Sequence, residues 1–316
     1  MAEMRFDGQV AVVTGAGRGL GREYARLLAA RGARVVVNDL GGSVTGAGSG
    51  DGPAETTAQE INDQGGQAIS DIHTVVTPEG GQAIIDTALE AWGRVDILVN
   101  NAGTVDPAPF EDVTDERLTP LMDVHLRGAF NVTRPAWKLL RASGYGRVIN
   151  TCSAAGILGA ERMANYGAVK TGLIGLTRVL AAEGAGAAIK VNAVAPIAAT
   201  RMLDHSMADF ADPAERAAVD EVMKPFREKL DPALVAPVVA FLAHRDCPVS
   251  GEIYTVGAGH VAQFFIGRTR GYQHPQLSLE HVHAHLDEIR DRTHYTVPSG
   301  PGDEMAELYQ ALTAFD

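Results

Sequence analysis

A chain of 316 residues, 46% of them apolar and 21% charged, is long enough for one large α/β domain or two small ones and has the composition of an ordinary globular enzyme. Its net charge of −12 argues against nucleic acid, whose phosphates need clustered Lys and Arg, and equally against an anionic membrane surface. No apolar run reaches the length of a membrane span, and the two cysteines, Cys152 and Cys247, lie far apart in no metal-ligand spacing, so neither a disulfide scaffold nor a metal site is expected.

In chain order, short β-branched runs alternate with helical stretches, the pattern of βαβ units around a parallel sheet. "VAVVT" (10–14) reads as a strand, followed by a glycine-rich turn and a helix from about Leu20 to Arg31. "RVVVN" (34–38) is the second strand. The string 41–53 is too rich in glycine for regular structure and reads as a mobile loop. Pro53 then opens a helix that Gly65 and Gly66 close, a weaker strand follows near Ala68, and Pro78 opens a helix to Trp92. "VDILV" (95–99) is apolar throughout, as a central parallel strand is. A long helix over 115–142 leads to a strand at 147–151, a helix at 164–184 and a strand at 189–194. A helix at 233–244 and a strand at 252–256 complete the alternation. The connection 197–230 is a candidate substrate lid, because ligands of open α/β sheets bind beyond the carboxyl ends of the strands.

These elements predict a doubly wound (Rossmann) parallel sheet of about seven strands in one domain, residues 1–260. A polar extension, 261–316, is expected to pack on that domain or on a neighbouring subunit. It holds five histidines between His274 and His294, whose alternation in "HVHAH" suits a solvated or interface segment better than a metal site.

The string "TGAGRGLG" runs from Thr14 to Gly21 between a strand and a helix. Gly15 permits the tight turn, Gly19 lets the backbone approach a pyrophosphate, and Gly21 lets helix and strand pack closely. The helix start at Gly19 and Leu20 then offers free N–H groups and a positive dipole to phosphate. Asp39 ends the second strand 18 residues past Gly21, where a carboxylate accepts both ribose hydroxyls of NAD and repels the 2′-phosphate of NADP. An alternative role as a turn cap is open, since Gly41 and Gly42 follow. Arg18 pulls toward NADP, but a carboxylate beside that phosphate outweighs it, so NAD is the expected cofactor. The fourth strand ends in "NNAG", where Asn101, Ala102 and Gly103 let the chain pass close beneath the nicotinamide ribose.

"ANYGAVK" sets Tyr166 and Lys170 four apart on one helix face, and Ser153 lies thirteen residues earlier at a strand end. A free tyrosine titrates near pH ~10, and a neighbouring ammonium is expected to lower that value. Tyr166 then takes the alcohol proton as hydride leaves, Ser153 holds the substrate oxygen, and Lys170 also binds the ribose hydroxyls.

Together, "TGxxxGxG", "NNAG" and the Ser–Tyr-xxx-Lys set resemble the short-chain dehydrogenase/reductase family over roughly residues 6–260. "VNDLGG", "VHLRGAFNVTRPAW", "ANYGAVKTGLIGLT" and "VGAGH" are more specifically similar to its (3R)-hydroxyacyl-CoA dehydrogenase branch, found as a part of peroxisomal multifunctional enzyme type 2. The resemblance implies an acyl-CoA substrate, a homodimer or homotetramer, Thr74 and Val75 beside the adenine, and Asn101 lining the cofactor.

Three positions depart from the wider family. His125 stands where many members carry the Asn of a proton relay, and it is either a relay group or a satisfied buried histidine. Ile197 replaces Gly after Pro196, with Thr200 nearby, and its backbone is expected to meet the carboxamide. Thr74 stands where many relatives have Asp. Arg201, Arg268 and Arg270 are candidates for contact with an anionic CoA. Neither end of the chain carries a recognised targeting signal, and a cytoplasmic location is expected. The rival readings are a steroid or other alicyclic alcohol dehydrogenase and a non-catalytic NAD-binding sensor, the latter disfavoured by an intact Ser153, Tyr166 and Lys170.

Overall fold

The computed structural model describes residues 3–50, 52–208, 217, 221–222, 224–225, 227 and 229–313. Strands β1 (Val10–Thr14), β2 (Arg34–Asn38), β3 (Gln67–Asp71), β4 (Ile97–Asn100), β5 (Gly146–Thr151), β6 (Ile189–Pro196), β7 (Ile253–Gly257) and β8 (His260–Phe264) form one sheet. Its order is β3-β2-β1-β4-β5-β6-β7-β8. All pairings from β3 across to β7 are parallel, with Thr14 opposite Asn38 and Asn100 opposite Asn150. The order reverses between β1 and β4, so the chain leaves these two paired strands in opposite directions, and a crevice is left at their carboxyl ends. The sheet has eight strands rather than about seven, because "HVAQF" adds an edge strand where apolar alternation ceases to be visible.

Strand residues alternate between two apolar cores. Ala11 and Val13 join the cluster that includes Tyr24 and Leu28, while Val10 and Val12 join the one with Ile84, Val132 and Leu140. Helix α1 (Gly19–Ala30) buries Gly21, Tyr24, Ala25, Leu28 and Ala29, the three-and-four spacing of one helix face. Helix α2 spans Gly52–Asp63. Helix α3 (Pro78–Trp92) is capped by the Thr77 side chain, which accepts the Gly80 N–H, and stops at Gly93 with φ of 71°.

The stretch read as one helix over 115–142 has three parts. Helix α4 (Asp115–Leu121) runs into a π-helical turn, Met122–Arg127, and then into α5 (Gly128–Ala142). Short helix α6 (Ala154–Leu158) precedes the long α7 (Ala164–Gly184), with α8 (Arg201–Ala208) and α9 (Ala236–Ala243) following. A buried polar chain fixes α7 behind the sheet. Asn100 Nδ2 donates to Asn150 Oδ1 (2.8 Å) and Thr133 Oγ1 (3.0 Å), and Asn150 Nδ2 donates to Thr177 Oγ1 (2.9 Å). Much of the lid candidate 197–230 lies outside the described residues.

The chain divides into compact units Met1–Gln263 and Phe264–Asp316. The second holds a two-stranded ladder, β9 (Arg268–Thr269) with β10 (Tyr295–Thr296), and helices α10 (Leu279–Ala284), α11 (Leu286–Ile289) and α12 (Pro301–Thr313). Rings stack within it, Tyr272 on His285 at 3.9 Å and His274 near His281 at 4.0 Å. Many of its apolar side chains are exposed, among them Leu279, Met305 and Leu312. Among the described residues, no helix is long and apolar enough to cross a membrane.

Candidate active site

The crevice beyond β1 and β4 opens into a cleft of about 730 Å³, within the size range of small-molecule sites. Its floor is the glycine loop. Gly15 and Gly19 have φ of +62° and +53°, the left-handed region that glycine adopts freely. A Cβ on Gly21 would lie 2.2 Å from the Gly15 carbonyl oxygen, so Gly21 sits beneath the loop and sets helix against strand rather than lining the cleft. A Cβ on Gly19 would meet only Thr200 Cγ2, at 3.6 Å, so the space above it is open. No side chain caps α1 and no acidic residue stands in its first turn, leaving that N-terminus for an anion. These features fit a dinucleotide.

Thr14 holds the loop to the "NNAG" turn. Its hydroxyl accepts the Asn101 and Ala102 N–H groups at 3.0 and 3.1 Å, and Asn101 Nδ2 returns a bond to the Thr14 carbonyl at 3.0 Å. Gly103 is needed because a Cβ there would stand 2.6 Å from His125 Cε1.

Asp39 takes the turn-capping role foreseen as its alternative. Oδ2 accepts the Gly17 N–H at 2.9 Å and Oδ1 the Gly41 N–H at 2.7 Å, so it caps two turns. The carboxylate also lines the cleft, with lone pairs left for ribose hydroxyls. Arg18, Leu20, Thr74 and Val75 line the same cleft. Arg18 reaches across to the Gly42 carbonyl at 3.4 Å, and the Thr74 hydroxyl accepts the Val76 N–H at 3.2 Å.

Pro196, Ile197 and Thr200 also line the cleft. The Ile197 N–H donates to the Val256 carbonyl at 2.8 Å, so the backbone contact expected with a carboxamide would fall to the carbonyl. Arg201 lines the cleft, whereas Arg268 pairs with Glu304 and Glu307 inside the C-terminal unit and is no free phosphate ligand.

Ser153, Tyr166 and Lys170 come together on the cleft wall. Ser153 caps α6, its hydroxyl accepting the Ala155 N–H at 3.2 Å. Tyr166 packs against Val105, Leu121 and Val169. Burial pushes its phenol up to about 12, while hydrogen bonding with Ser153 pulls the other way. The Lys170 ammonium donates to the Thr151 carbonyl at 2.6 Å and lies 5.6 Å from the Tyr166 ring centroid. Burial lowers it to about 8, with the Cys152 thiol opposing. Burial thus moves Tyr166 up and Lys170 down, opposite to the lowering of the phenol expected from the ammonium.

His125 is buried behind Tyr166, its ring edge-on at 5.5 Å, and does not line the cleft. Its Nε2 meets the Thr104 backbone, 2.8 Å from the carbonyl and 3.1 Å from the N–H. Burial and then the charge of Lys170 hold it well below the usual histidine range, so the ring is neutral at physiological pH.

Sequence reasoning missed Cys152, Met163 and Met202, which border the cleft, and Val44, carried there by the glycine-rich loop. None stands in a recognisable spacing.

A dinucleotide-type cradle opening onto Ser153 and the buried Tyr166 and Lys170 is the arrangement of a class of oxidoreductases that move hydride between a carbinol carbon and a nicotinamide dinucleotide. Residues 9–210 match the model of the short chain dehydrogenase family. The chain is 39% identical to a peroxisomal hydratase-dehydrogenase-epimerase of Neurospora crassa, over 99% of its own length and 33% of the relative's. It is 43% identical to a short-chain type dehydrogenase/reductase of Mycobacterium tuberculosis, covering 90% of this chain and 94% of that one. Full-length peroxisomal multifunctional enzyme type 2 of Drosophila melanogaster superposes with a TM-score of 0.78 at 31% identity, over 99% of this chain and 51% of that one. The chain thus spans only a third to a half of these multifunctional relatives. It belongs to the short-chain dehydrogenase/reductase family.

Proposed function

We propose that the protein oxidises (3R)-3-hydroxyacyl-CoA thioesters to 3-ketoacyl-CoA with NAD as hydride acceptor. The observation that carries the reading is the Ser153–Tyr166–Lys170 set on the wall of the dinucleotide cleft. It is supported by 39% and 37% identity over 99% of the chain to relatives named a peroxisomal hydratase-dehydrogenase-epimerase and a peroxisomal multifunctional enzyme type 2. Bound NAD supplies the hydride acceptor. Tyr166, as phenolate, takes the hydroxyl proton while the carbon–hydrogen bond breaks, and Ser153 donates a hydrogen bond to the oxygen that becomes the ketone. Lys170, held on the Thr151 carbonyl, would supply positive charge to that oxygen and donors to the ribose hydroxyls.

Asp39 on the cleft is the reason for preferring NAD to NADP. The exposed apolar side chains of the C-terminal unit support a homodimer or homotetramer in which 261–316 packs on a dehydrogenase domain, its own or a neighbouring subunit's. A cytoplasmic location completes the reading, supported by two unpaired, buried cysteines. Kinetics with pure (3R) and (3S) thioesters beside hydroxysteroids lacking CoA test it. The (3R) thioester is expected to lead. Preference for (3S), or activity confined to free steroids, would overturn it.

A further inference from the structure

The glycine-rich string after Asp39, read as a mobile loop, is a closed and tied structure. Its neck is shut where the Gly50 N–H donates to the Leu40 carbonyl at 2.9 Å. Gly41, at φ of +79°, makes that closure possible, since a Cβ there would lie 1.8 Å from the Gly50 carbonyl oxygen. Inside the loop, the Ser43 N–H donates to the Ala47 carbonyl (2.8 Å), and Ser43 Oγ accepts the Ala47 N–H (3.0 Å).

Its far side reaches the substrate half of the cleft. The Val105 N–H donates to the Val44 carbonyl at 3.3 Å, and a Cβ on Gly46 would come within 3.1 Å of Thr104 Cγ2. The Val44 side chain packs against the cluster of Val105, Leu121, Tyr166 and Val169, as do Met163 and Met202. Val44, Met163, Met202 and Tyr166 all border the same cleft. One segment thus runs from the Asp39 carboxylate to the neighbourhood of the catalytic tyrosine.

We infer that Leu40–Gly50 is a fixed strap across the cleft and that Val44 is a specificity-determining residue, an apolar wall for the substituents of the reacting carbon. The assignment rests on Tyr166 being the catalytic base. A reacting carbon held at Tyr166 brings its substituents against whatever else borders the cleft there. Val44, Met163 and Met202 offer those substituents dispersion contacts and no hydrogen-bond donor, so the group accepted is aliphatic. A hydrophobic pocket discriminates by about ten- to two-hundredfold per methylene it admits or refuses.

The test compares the full-length wild type with Val44→Ala and Val44→Phe. NADH formation is followed over 3-hydroxyacyl-CoA thioesters of graded chain length and over alicyclic alcohols of graded bulk. Affinities for NAD and for a 3-ketoacyl-CoA are measured by calorimetry. Val44→Phe is expected to lower kcat/KM for bulky relative to small substrates by about tenfold, and Val44→Ala to shift the ratio several-fold the other way. The 3-ketoacyl-CoA affinity should follow while that for NAD stays within about twofold. An unchanged ratio in both variants, or an NAD affinity that moves as far as the selectivity, would overturn the assignment. If Val44→Phe fails to fold, Val44→Ala and Val44→Leu decide. Wild type active on alicyclic alcohols but on no thioester would sink the proposed substrate, and the Val44 comparison would then be read on the alicyclic series.

Discussion

Lys170 Nζ donates to the carbonyl oxygen of Thr151 at 2.6 Å, which anchors the second turn of the catalytic helix to the strand end that leads into Ser153. Lys170 is 3% exposed, and the bond does not restore what the ammonium loses in leaving water. Its pKa accordingly falls from 10.5 to about 8, chiefly through burial.

A pH-dependent stability follows. The unfolded chain keeps this proton up to about 10.5 and the folded chain only up to about 8. Between those values the unfolded state binds more protons, so folding gains as pH rises through the window and bears the full desolvation cost below it. Lys170→Met removes the titration. Melting temperatures of wild type and variant, compared across the window, should show the wild type gaining on the variant as pH rises. A constant gap would mean that the ammonium is not desolvated.

His125 gives a second linkage of opposite location. Its folded pKa lies well below 6.5 because of burial, so the unfolded chain takes up the proton first and stability falls as pH drops through that range. His125→Asn should abolish this acid limb. It should also lower stability near neutrality by about 1–3 kcal/mol through loss of the ring's bond to the Thr104 backbone. Denaturant titrations at neutral and acid pH check both, and an acid limb that persists in the variant would assign it to other groups.

The cofactor preference depends on Asp39. Wild type should favour NAD over NADP by at least about tenfold, the scale of one hydrogen bond to a charged group plus repulsion. Asp39→Ala should erode that mainly by weakening NAD. Because the carboxylate also holds the Gly17 and Gly41 N–H groups, the variant should exchange both amides faster with solvent. Equal use of NADP by the wild type would mean that Arg18 outweighs Asp39.

The parts of the site legible in sequence are those encoded by short spacing. Gly15, Gly19 and Gly21 answer to backbone geometry within one turn, and Tyr166 and Lys170 to the helical repeat. The strap was not legible, because Val44 meets Val105 across 61 residues and a glycine-rich string carries no periodicity to announce where it lands. The π-helical turn around His125 was hidden inside a continuous helical pattern, where the apolar repeat on both sides is that of an α-helix. Spacing placed the ammonium near the phenol but not the burial of both, which sets their protonation.

NADH formation by Tyr166→Phe, measured beside NAD binding by the same protein, decides whether Tyr166 takes the alcohol proton. The substitution removes one hydroxyl and leaves the packing of the ring against Val105, Leu121 and Val169 intact. NAD affinity should be unchanged and turnover lowered by at least about a thousandfold at neutral pH, within the range a positioned acid–base group supplies. Substantial turnover in Tyr166→Phe, with NAD bound, would contradict Tyr166 as the proton acceptor.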